Sequence, residues 1–273
     1  MIRMTIGEAL NSVTRMLKPI AATSAAFEAR QILCHTLNVD VSWLLAHTLE
    51  LFPGKYQDRL TLFVNDRLSG KPLQYILGQW EFMGLPFYVR EGVLIPRQDT
   101  ETLAERAISH IRERKMRTVL DMCCGSGCIG VALARYTGVC VTLSDVSAIC
   151  VQTAGQNAQL NRVEAILRLG DLFGPIKNDR FDLIVANPPY IPSADIPTLQ
   201  PEVRREPASA LCGGEDGLDF YRRIAQSYAG HLNPGGMLML EFGINQSAAL
   251  RDLFPGCHIY RDLRGIERVL EAG

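Results

Sequence analysis

The fold is indicated most clearly by one glycine-rich stretch, Leu120-Asp121-Met122-Cys123-Cys124-Gly125-Ser126-Gly127-Cys128-Ile129-Gly130. It reads as the end of an apolar strand, a turn and the start of a helix, because glycines allow a tight turn and close approach of a ligand. The spacing Gly125-x-Gly127-x-x-Gly130 matches the dinucleotide-binding fingerprint, a weak signal by itself. A plain connection between a strand and a helix is the alternative, and the surrounding pattern disfavours it.

Predicted strands and helices alternate on the carboxyl-terminal side of residue 115. The predicted strands are Thr118–Met122, Cys140–Ser144, Ala165–Leu169, Phe181–Ala186, Met237–Glu241, Cys257–Tyr260 and Glu267–Leu270. The predicted helices are Ile129–Tyr136, Ala148–Leu160, Leu218–His231 and Gln246–Phe254. This alternation indicates an α/β, Rossmann-like domain with a mostly parallel sheet between helices, and a ligand site at the carboxyl ends of the strands.

The first third of the chain has a different pattern. Apolar residues at helical spacing, among them Ile32, Leu33 and Leu37, predict a small helical domain over residues 1–75. Two short aromatic pieces punctuated by glycine, Gln79–Phe82 and Phe87–Val89, predict a β-hairpin within a linker at residues 76–93. The α/β domain then occupies residues 94–273.

Composition excludes several classes of protein. Lys and Arg total 28 and Asp and Glu total 29, a net charge of −1, which argues against binding nucleic acid by bulk electrostatics. No apolar run approaches the ~18 residues that cross a bilayer, and the first residues lack a signal-peptide core. We therefore expect a cytoplasmic protein whose eight cysteines are reduced, buried thiols, without the spacing of a metal site.

Acidic side chains at the ends of the first two strands indicate which nucleotide the turn binds. Asp121 would repel a pyrophosphate, whereas a ligand with an ammonium and a sulfonium tolerates it. Asp145, which follows the next strand, is placed to accept hydrogen bonds from both ribose hydroxyls. Its alternative role is to cap the helix that follows. Together the two acids favour S-adenosylmethionine over NAD.

The strongest chemical signal is Asn187-Pro188-Pro189-Tyr190, directly after a predicted strand. Two prolines fix a rigid turn whose carbonyls can accept hydrogen bonds, Asn187 adds a side-chain acceptor, and Tyr190 adds a flat ring. Acceptors on both N–H bonds of a planar nitrogen orient its lone pair towards a methyl group and stabilise the developing positive charge. The turn therefore predicts methyl transfer to an amide or an exocyclic amine, without a strong general base.

Further motifs extend over nearly the whole chain. They are Gln74–Gly78, Glu81–Gly84, Val93–Glu101, Asp171–Phe173, Glu206-Pro207, Gly213–Leu218, Leu240–Gly243 and Asp262–Gly265. With them, the chain resembles the N5-glutamine methyltransferases that modify class I peptide chain release factors. Asn-Pro-Pro-Tyr is shared with DNA adenine methyltransferases, so the specificity of the resemblance depends on the motif before the α/β domain and on the helical domain.

The resemblance implies a class I methyltransferase domain with a seven-stranded sheet, preceded by about five helices that recognise the substrate and by the hairpin. Its substrate is the glutamine of the Gly-Gly-Gln loop of release factors, and no metal, membrane or nucleic acid is implied. The implied cofactor-binding residues are Cys123, Cys124, Gly125, Ser126, Gly127, Asp145, Leu172 and Asn187. The implied substrate-binding residues are Asn187, Pro188, Pro189 and Tyr190, of which Asn187, Pro188 and Tyr190 are catalytic.

Alternatives and departures from the family pattern remain. A DNA adenine N6 methyltransferase needs the same nitrogen geometry, but the net charge of −1 and the lack of a basic target-recognition domain disfavour it. An NAD-dependent oxidoreductase leaves Asn187–Tyr190 unexplained, and the intact turn disfavours a non-catalytic cofactor-binding module. Cys123-Cys124 replaces a small residue and threonine, which predicts sensitivity to oxidation. Leu172 replaces an aromatic residue, and Glu241 lines the pocket or has a structural role.

Overall fold

The computed structural model describes residues 4–273, and these residues fall into two compact units. The first unit is the chain up to Gly78 together with Gln200–Arg205, and the second is Gln79–Leu199 with Glu206–Gly273. The predicted linker at 76–93 is thereby divided, because its hairpin lies in the second unit. The predicted helical domain includes residues 1–3, which lie outside the described residues.

The first unit is helical, as predicted. Its helices are α1 (Ile6–Leu17), α2 (Ala25–Leu37), α3 (Val41–Ala46), α4 (Gln57–Leu68) and α5 (Leu73–Leu77). Thr5 begins α1 with a capping box, in which its hydroxyl accepts from the Glu8 N–H and the Glu8 carboxylate accepts from the Thr5 N–H. The apolar faces of α1 and α2 supply much of the buried core, including Ile6, Leu17, Ile32 and Leu33.

A buried ion pair fixes the Gln200–Arg205 segment to this unit. The Arg67 side chain lies 2.6 Å from Glu28 Oε2 and 2.6 Å from Glu202 Oε1. Arg67 is 3% exposed, and a buried guanidinium is tolerated only when it is paired and hydrogen-bonded. The segment that follows the Asn-Pro-Pro-Tyr turn is therefore held by the helical unit through a specific charge network.

The second unit contains the predicted hairpin and the predicted parallel sheet. Strands β1 (Gln79–Phe82) and β2 (Leu85–Tyr88) pair antiparallel. The sheet contains β3 (Thr118–Met122), β4 (Cys140–Asp145), β5 (Ala165–Leu169), β6 (Phe181–Ala186), β7 (Leu232–Glu241), β8 (His258–Arg261) and β9 (Glu267–Ala272). Within the described residues, the strand order of this sheet is β5-β4-β3-β6-β7-β9-β8. Strand β9 runs in the direction opposite to that of the other six strands.

Helices cover both faces of this sheet. They are α6 (Glu101–Arg114), α7 (Cys128–Thr137), α8 (Ala148–Leu160), α9 (Ala208–Leu211), α10 (Asp219–Ser227) and α11 (Ser247–Leu253). The helices α6, α7 and α8 pack in one apolar cluster, and α10 and α11 pack in another on the opposite face. Helix α6 was not predicted from the sequence, and β7 begins five residues before its predicted start at Met237. No helix among residues 4–273 is both long and apolar enough to cross a bilayer.

Candidate active site

The carboxyl ends of β3, β4 and β6 open into one cleft in the second unit, with an empty volume of about 940 Å³. Parallel strands bring these ends to the same edge of the sheet, which is where α/β folds bind ligands. Eight of the residues proposed from the sequence line it: Cys123, Cys124, Gly125, Ser126, Asp145, Leu172, Asn187 and Pro189. Gly127, Pro188 and Tyr190 are not among the lining residues, although Pro188 and Tyr190 are next to Pro189, which is.

The turn between β3 and α7 presents its backbone to the cleft. Cys123 and Gly125 have positive φ angles of 58° and 54°, and Gly127 begins α7 with φ 76°. A Cβ at Gly125 would meet no atom within 4 Å, whereas one at Gly127 would lie 2.9 Å from the Ala154 Cβ. Gly125 therefore leaves room for a ligand, and Gly127 permits close packing of α7 against α8.

Asp145 joins the turn to the start of α8. Its Oδ2 accepts from the Gly125 N–H at 2.9 Å, and its Oδ1 accepts from the Ser147 N–H at 2.9 Å. The alternative role of Asp145, to cap helix α8, is therefore confirmed in part: Asp145 accepts from an N–H group before the helix, but Ser147 occupies the N-cap position. Each carboxylate oxygen has a second lone pair, so the side chain retains acceptor capacity on the cleft side.

Asp121 lies behind the turn, beneath the residues that line the cleft. It is fully buried, its Oδ2 accepts from the Gly130 N–H at 2.8 Å, and its Oδ1 has no partner among the described residues. Burial raises the pKa of Asp121 to about 7, and the nearby Asp145 adds to the rise. Asp121 thus holds the first turn of α7, and its raised pKa reduces the negative charge that it places beneath the turn near neutral pH.

The thiols beside the turn are poorly ionised. Burial raises the pKa of Cys123 and of Cys124, and the carboxylates of Asp121 and Asp145 raise both further. Burial also raises the pKa of Cys128 to about 12. Because the thiolate is the species that oxidants and electrophiles attack, this environment opposes the oxidation sensitivity expected from the sequence.

Asn187 follows β6 directly and enters the cleft from its opposite side. Its Nδ2 donates to the Thr100 Oγ1 at 3.2 Å, across 87 residues of sequence. The Asn187 amide and the Thr100 hydroxyl also lie near the carboxyl of Glu241, at the end of the neighbouring β7, and lower its pKa. The amide nitrogen is thereby turned into the protein.

The rest of the Asn-Pro-Pro-Tyr turn is held by its neighbours in the second unit. Gln246 Nε2 donates to the Tyr190 carbonyl at 2.9 Å and to the Gly217 carbonyl at 3.2 Å. A Cβ at Gly213 would lie 2.7 Å from the Pro189 carbonyl oxygen, and one at Gly217 would lie 2.3 Å from that of Tyr190. These glycines are therefore required by the close approach of two backbones, a reason the sequence pattern alone did not reveal.

Several lining residues were missed by the site prediction. They are Leu94, Ile95, Pro96, Arg97, Thr100, Pro207, Ser209, Ala210 and Phe220. Glu206 joins two of these stretches, because its buried carboxylate accepts from the Ile95 N–H at 3.0 Å and pairs with Arg97. These lining residues lie in or beside the motifs Val93–Glu101 and Glu206-Pro207, which indicated the family but were not predicted to belong to the site.

The charges around the cleft suit a cationic rather than an anionic ligand. Among the described lining residues, Asp145 and Asp171 are acidic, and Arg97 supplies the one positive charge. Asp171 pairs with Arg223, so Asp145 is the lining acid without a salt bridge. Arg97 is neutralised by Glu206, so it offers little to a pyrophosphate. The open space over Gly125 and the acceptors of Asp145 fit the ribose and the charged amino-acid part of S-adenosylmethionine.

Solved structures place the fold in a known class. The catalytic domain of hMettl16, solved with a MAT2A 3'UTR hairpin, is 16% identical, covers 81% of this chain and 82% of its own, and gives a TM-score of 0.55. The 16S rRNA N2 G1207 methyltransferase RsmC of T. thermophilus, solved with AdoMet and guanosine, is 20% identical, covers 71% and 49%, and gives 0.53. The chain has the fold of the class I S-adenosylmethionine-dependent methyltransferases.

Sequence comparisons identify the family within that class. The family model "PrmC N-terminal domain" matches residues 8–78, and "Methyltransferase small domain" matches residues 99–200. The release factor glutamine methyltransferase of Geobacter sulfurreducens is 42% identical over 85% of this chain and 88% of its own length. That of Koribacter versatilis is 35% identical over 98% of both. This chain belongs to the release factor glutamine methyltransferase family.

Proposed function

We propose that this enzyme methylates the side-chain amide nitrogen, N5, of the glutamine in the Gly-Gly-Gln motif of class I peptide chain release factors. The observation that carries the proposal is Asn187 at the cleft, with its Nδ2 bonded to Thr100 and its Oδ1 left for the substrate. A primary amide needs two acceptors for its two N–H bonds. Asn187 Oδ1 and the Pro188 carbonyl are the two acceptors in this proposal, and Tyr190 completes the pocket.

The chain's own residues provide positioning and electrostatic stabilisation. S-adenosylmethionine supplies the methyl group as an activated sulfonium. Acceptors on both N–H bonds direct the amide lone pair out of its plane and stabilise the positive charge that develops on nitrogen. Burial raises the pKa of Tyr190, so its phenol stays protonated and contributes a ring face and a neutral hydroxyl. The amide proton becomes acidic after transfer, so no strong base is needed.

In this proposal, the other half of the cleft binds S-adenosylmethionine. Cys123–Gly127 provide backbone contacts, and Asp145 accepts from the ribose hydroxyls. Leu172, which is buried and lines the cleft, packs on the adenine side in place of an aromatic ring. Asn187 lies where the two halves meet and contacts both ligands. These roles need no metal, and Asp145, which has no salt-bridge partner among the described residues, gives the cleft a negative character that disfavours a nucleic-acid substrate.

The helical unit supplies the specificity for the whole release factor. Glutamine is common in proteins, so a pocket for its amide cannot select one protein. The helical unit exposes large apolar side chains, including Leu49 at 91% and Leu62 at 57%, which a protein partner could cover. Leu49→Ser and Leu62→Ser should lower kcat/KM on an intact release factor and leave activity on a Gly-Gly-Gln peptide unchanged. Equal losses on both substrates would refute this role.

Mass spectrometry of a purified, unmodified release factor tests the proposal. Incubation with the enzyme and S-adenosylmethionine should add one methyl group, and fragmentation should place it on the Gly-Gly-Gln glutamine. A release factor with that glutamine replaced by alanine is the matched control and should gain none. Because release factors act at ribosomes, we expect the reaction in the cytoplasm. Methylation of adenine in DNA, with the release factor untouched, would refute the proposal.

A further inference from the structure

A buried carboxylate in the second unit has no role in the function proposed so far. Glu241, the last residue of β7, is 2% exposed, and its Oε2 has no partner among the described residues. A carboxylate without full hydrogen bonding is costly in a protein core. Its backbone is also fixed, because the Tyr221 hydroxyl donates to the Glu241 carbonyl at 2.8 Å. A group held this rigidly at such cost is a candidate for a role at the neighbouring cleft.

The neighbours of Glu241 connect it to Asn187. Thr100, which is 3% exposed and immediately precedes α6, accepts from the Asn187 Nδ2 at 3.2 Å. The Thr100 hydroxyl and the Asn187 amide both lie close enough to the Glu241 carboxyl to lower its pKa, as groups that donate to a carboxylate do. The three side chains therefore form one network that ends at the cleft.

The direction of these hydrogen bonds follows from the chemistry of the groups. An asparagine amide can be turned over with little change of shape, so its orientation must be set by its partners. An ionised carboxylate only accepts, and a hydroxyl has a single proton to donate. With Glu241 ionised, the Thr100 proton points to Glu241, and the Asn187 NH2 must face both partners. The opposite orientation would set the Oδ1 lone pairs against a carboxylate.

We propose that Glu241 and Thr100 are positioning residues that fix the Asn187 side-chain amide with Oδ1 towards the substrate. This inference rests on the proposed function, because it explains how the substrate amide finds an acceptor instead of a second N–H donor. A flipped Asn187 would place its own NH2 against the substrate N–H bonds. The network removes that state before the substrate enters, which is the preorganisation that electrostatic catalysis requires.

Burial raises the pKa of Glu241 to about 7, so the network is complete only above that pH. The Thr100 and Asn187 bonds and the nearby Arg268 lower the pKa, whereas Asp99 raises it. Other titratable groups that interact with Glu241 are Tyr190, Tyr221 and Cys128. Assays at pH 8 therefore compare the variants with an ionised Glu241 in the wild-type enzyme.

The test uses the full-length enzyme and unmodified release factor. Thr100→Val keeps the shape of the side chain but removes the hydroxyl, and Thr100→Ser restores it. Glu241→Leu removes every acceptor, and Glu241→Gln keeps one. Glu271→Leu is the matched control, because Glu271 is another buried carboxylate of the same sheet that pairs with His110 and does not line the cleft.

We expect Thr100→Val and Glu241→Leu to lower kcat ~10–100-fold, as the loss of an oriented acceptor does. KM for the release factor and the Kd of S-adenosylhomocysteine should stay within ~3-fold. Thr100→Ser and the Glu271→Leu control should keep kcat near the wild-type value, with Glu241→Gln in between. In an Asn187→Ala background, Thr100→Val should have no further effect on kcat, because both act through one amide.

A purely structural role predicts a different result. It would reduce thermal stability and activity together, whereas a positioning role predicts a fall in kcat that far exceeds any fall in thermal stability. If folded Thr100→Val and Glu241→Leu keep the wild-type kcat, the positioning role of Thr100 and Glu241 is wrong, but the proposed function is unaffected. An additive effect in the Asn187→Ala background would also overturn it. A wild-type enzyme that does not methylate the release factor would overturn both.

Discussion

The two sides of the cleft are built in different ways. On the cofactor side, a short loop presents its backbone, and Asp145 is held by the N–H groups of Gly125 and Ser147, 20 and 2 residues away. On the substrate side, Asn187 is held by the side chain of Thr100, 87 residues away. One side depends on local chain geometry, and the other on side chains that the fold brings together.

This difference has a consequence for substitutions. A backbone surface tolerates changes of side chain as long as the turn keeps its φ angles, which is how Cys123 can occupy a position with φ 58°. A side-chain network fails when any member is lost, because the remaining polar groups are left buried and unpaired. We therefore expect the largest effects on the substrate side and the smallest at the thiols of the cofactor turn.

The largest effect is expected for Asn187→Ala. It removes the acceptor whose bond strengthens as charge develops on nitrogen, so kcat should fall ~10²–10³-fold. Thermal stability should change little, because the side chain faces a cleft rather than a packed core. Single-turnover kinetics with unmodified release factor, together with a melting curve, check this. Near wild-type turnover in the folded variant would remove Asn187 from the mechanism and erase the contrast between the two sides.

The next effect concerns the cofactor side. Asp145→Ala should weaken S-adenosylhomocysteine binding by ~1–3 kcal/mol, the cost of losing charge-assisted hydrogen bonds at a partly buried site. The matched control is Asp182→Ala, because Asp182 Oδ2 also accepts from two backbone N–H groups, those of Arg117 and Thr118, at 2.8 and 3.0 Å. Asp182 does not line the cleft. Calorimetric titration should show weaker binding only for Asp145→Ala, and equal binding by both would exclude the ribose role.

The same contrast explains how much could be predicted from the sequence. Strands β3, β5 and β6 and helix α8 have the predicted bounds, because each is an uninterrupted apolar or amphipathic run. Helix α6 was missed although Leu103, Ala107 and Ile111 mark its buried face at helical spacing. The early part of β7 was missed because Pro234-Gly235-Gly236 is typical of a turn, whereas Leu232 pairs with Phe181 across a register shift.

For the candidate site, local signals predicted residues on both sides of the cleft but not the side chains that surround Asn187. The sequence predicted the turn 123–127, Asp145 and Asn187, each of which directly follows a strand. It did not predict that Thr100 and Glu241 hold Asn187, because partners so far apart in sequence meet only after the sheet is assembled. It also did not predict that Gln200–Arg205 joins the helical unit through Arg67 and Glu202.

A glycine supports the substrate side from behind. In Gly213→Ala the new Cβ would lie 2.7 Å from the Pro189 carbonyl oxygen and 2.8 Å from the Tyr190 Cα, both backbone atoms that cannot rotate away. We expect a loss of ~1–3 kcal/mol in the free energy of unfolding, as for other overpacked sites, and a lower kcat. Gly54→Ala is the control, since a Cβ there meets no atom within 4 Å. Urea denaturation distinguishes them, and equal stability of both variants would contradict this packing.

The free energy of unfolding should depend on pH through two buried acids, one on each side of the cleft. Burial raises the pKa of Asp121 and of Glu241 to about 7, so the folded state binds these protons more tightly than the unfolded state does. Their stabilising contribution is complete below the unfolded pKa and is lost as the pH rises through about 7. The free energy of unfolding should therefore fall by ~1–2 kcal/mol between pH 5 and pH 8 relative to Glu241→Gln. Parallel pH profiles for wild type and Glu241→Gln would refute the shift on the substrate side.

The smallest effect is expected at the thiols of the cofactor turn. Cys123 lines the cleft, but its contribution is the backbone, so Cys123→Ala should change the Kd of S-adenosylhomocysteine by less than ~3-fold. Burial and the carboxylates of Asp121 and Asp145 raise the pKa of both Cys123 and Cys124, so little thiolate is present at pH 7. Maleimide at that pH should label the exposed Cys140 first and leave methyl transfer intact. Cys140→Ser separates labelling of Cys140 from labelling of the thiols at the cofactor turn. If maleimide inactivates Cys140→Ser as fast as the wild-type enzyme, and the added substitution Cys123→Ala prevents this loss of activity, the thiol at the cofactor turn is reactive. The cofactor side would then depend on a side chain as the substrate side does.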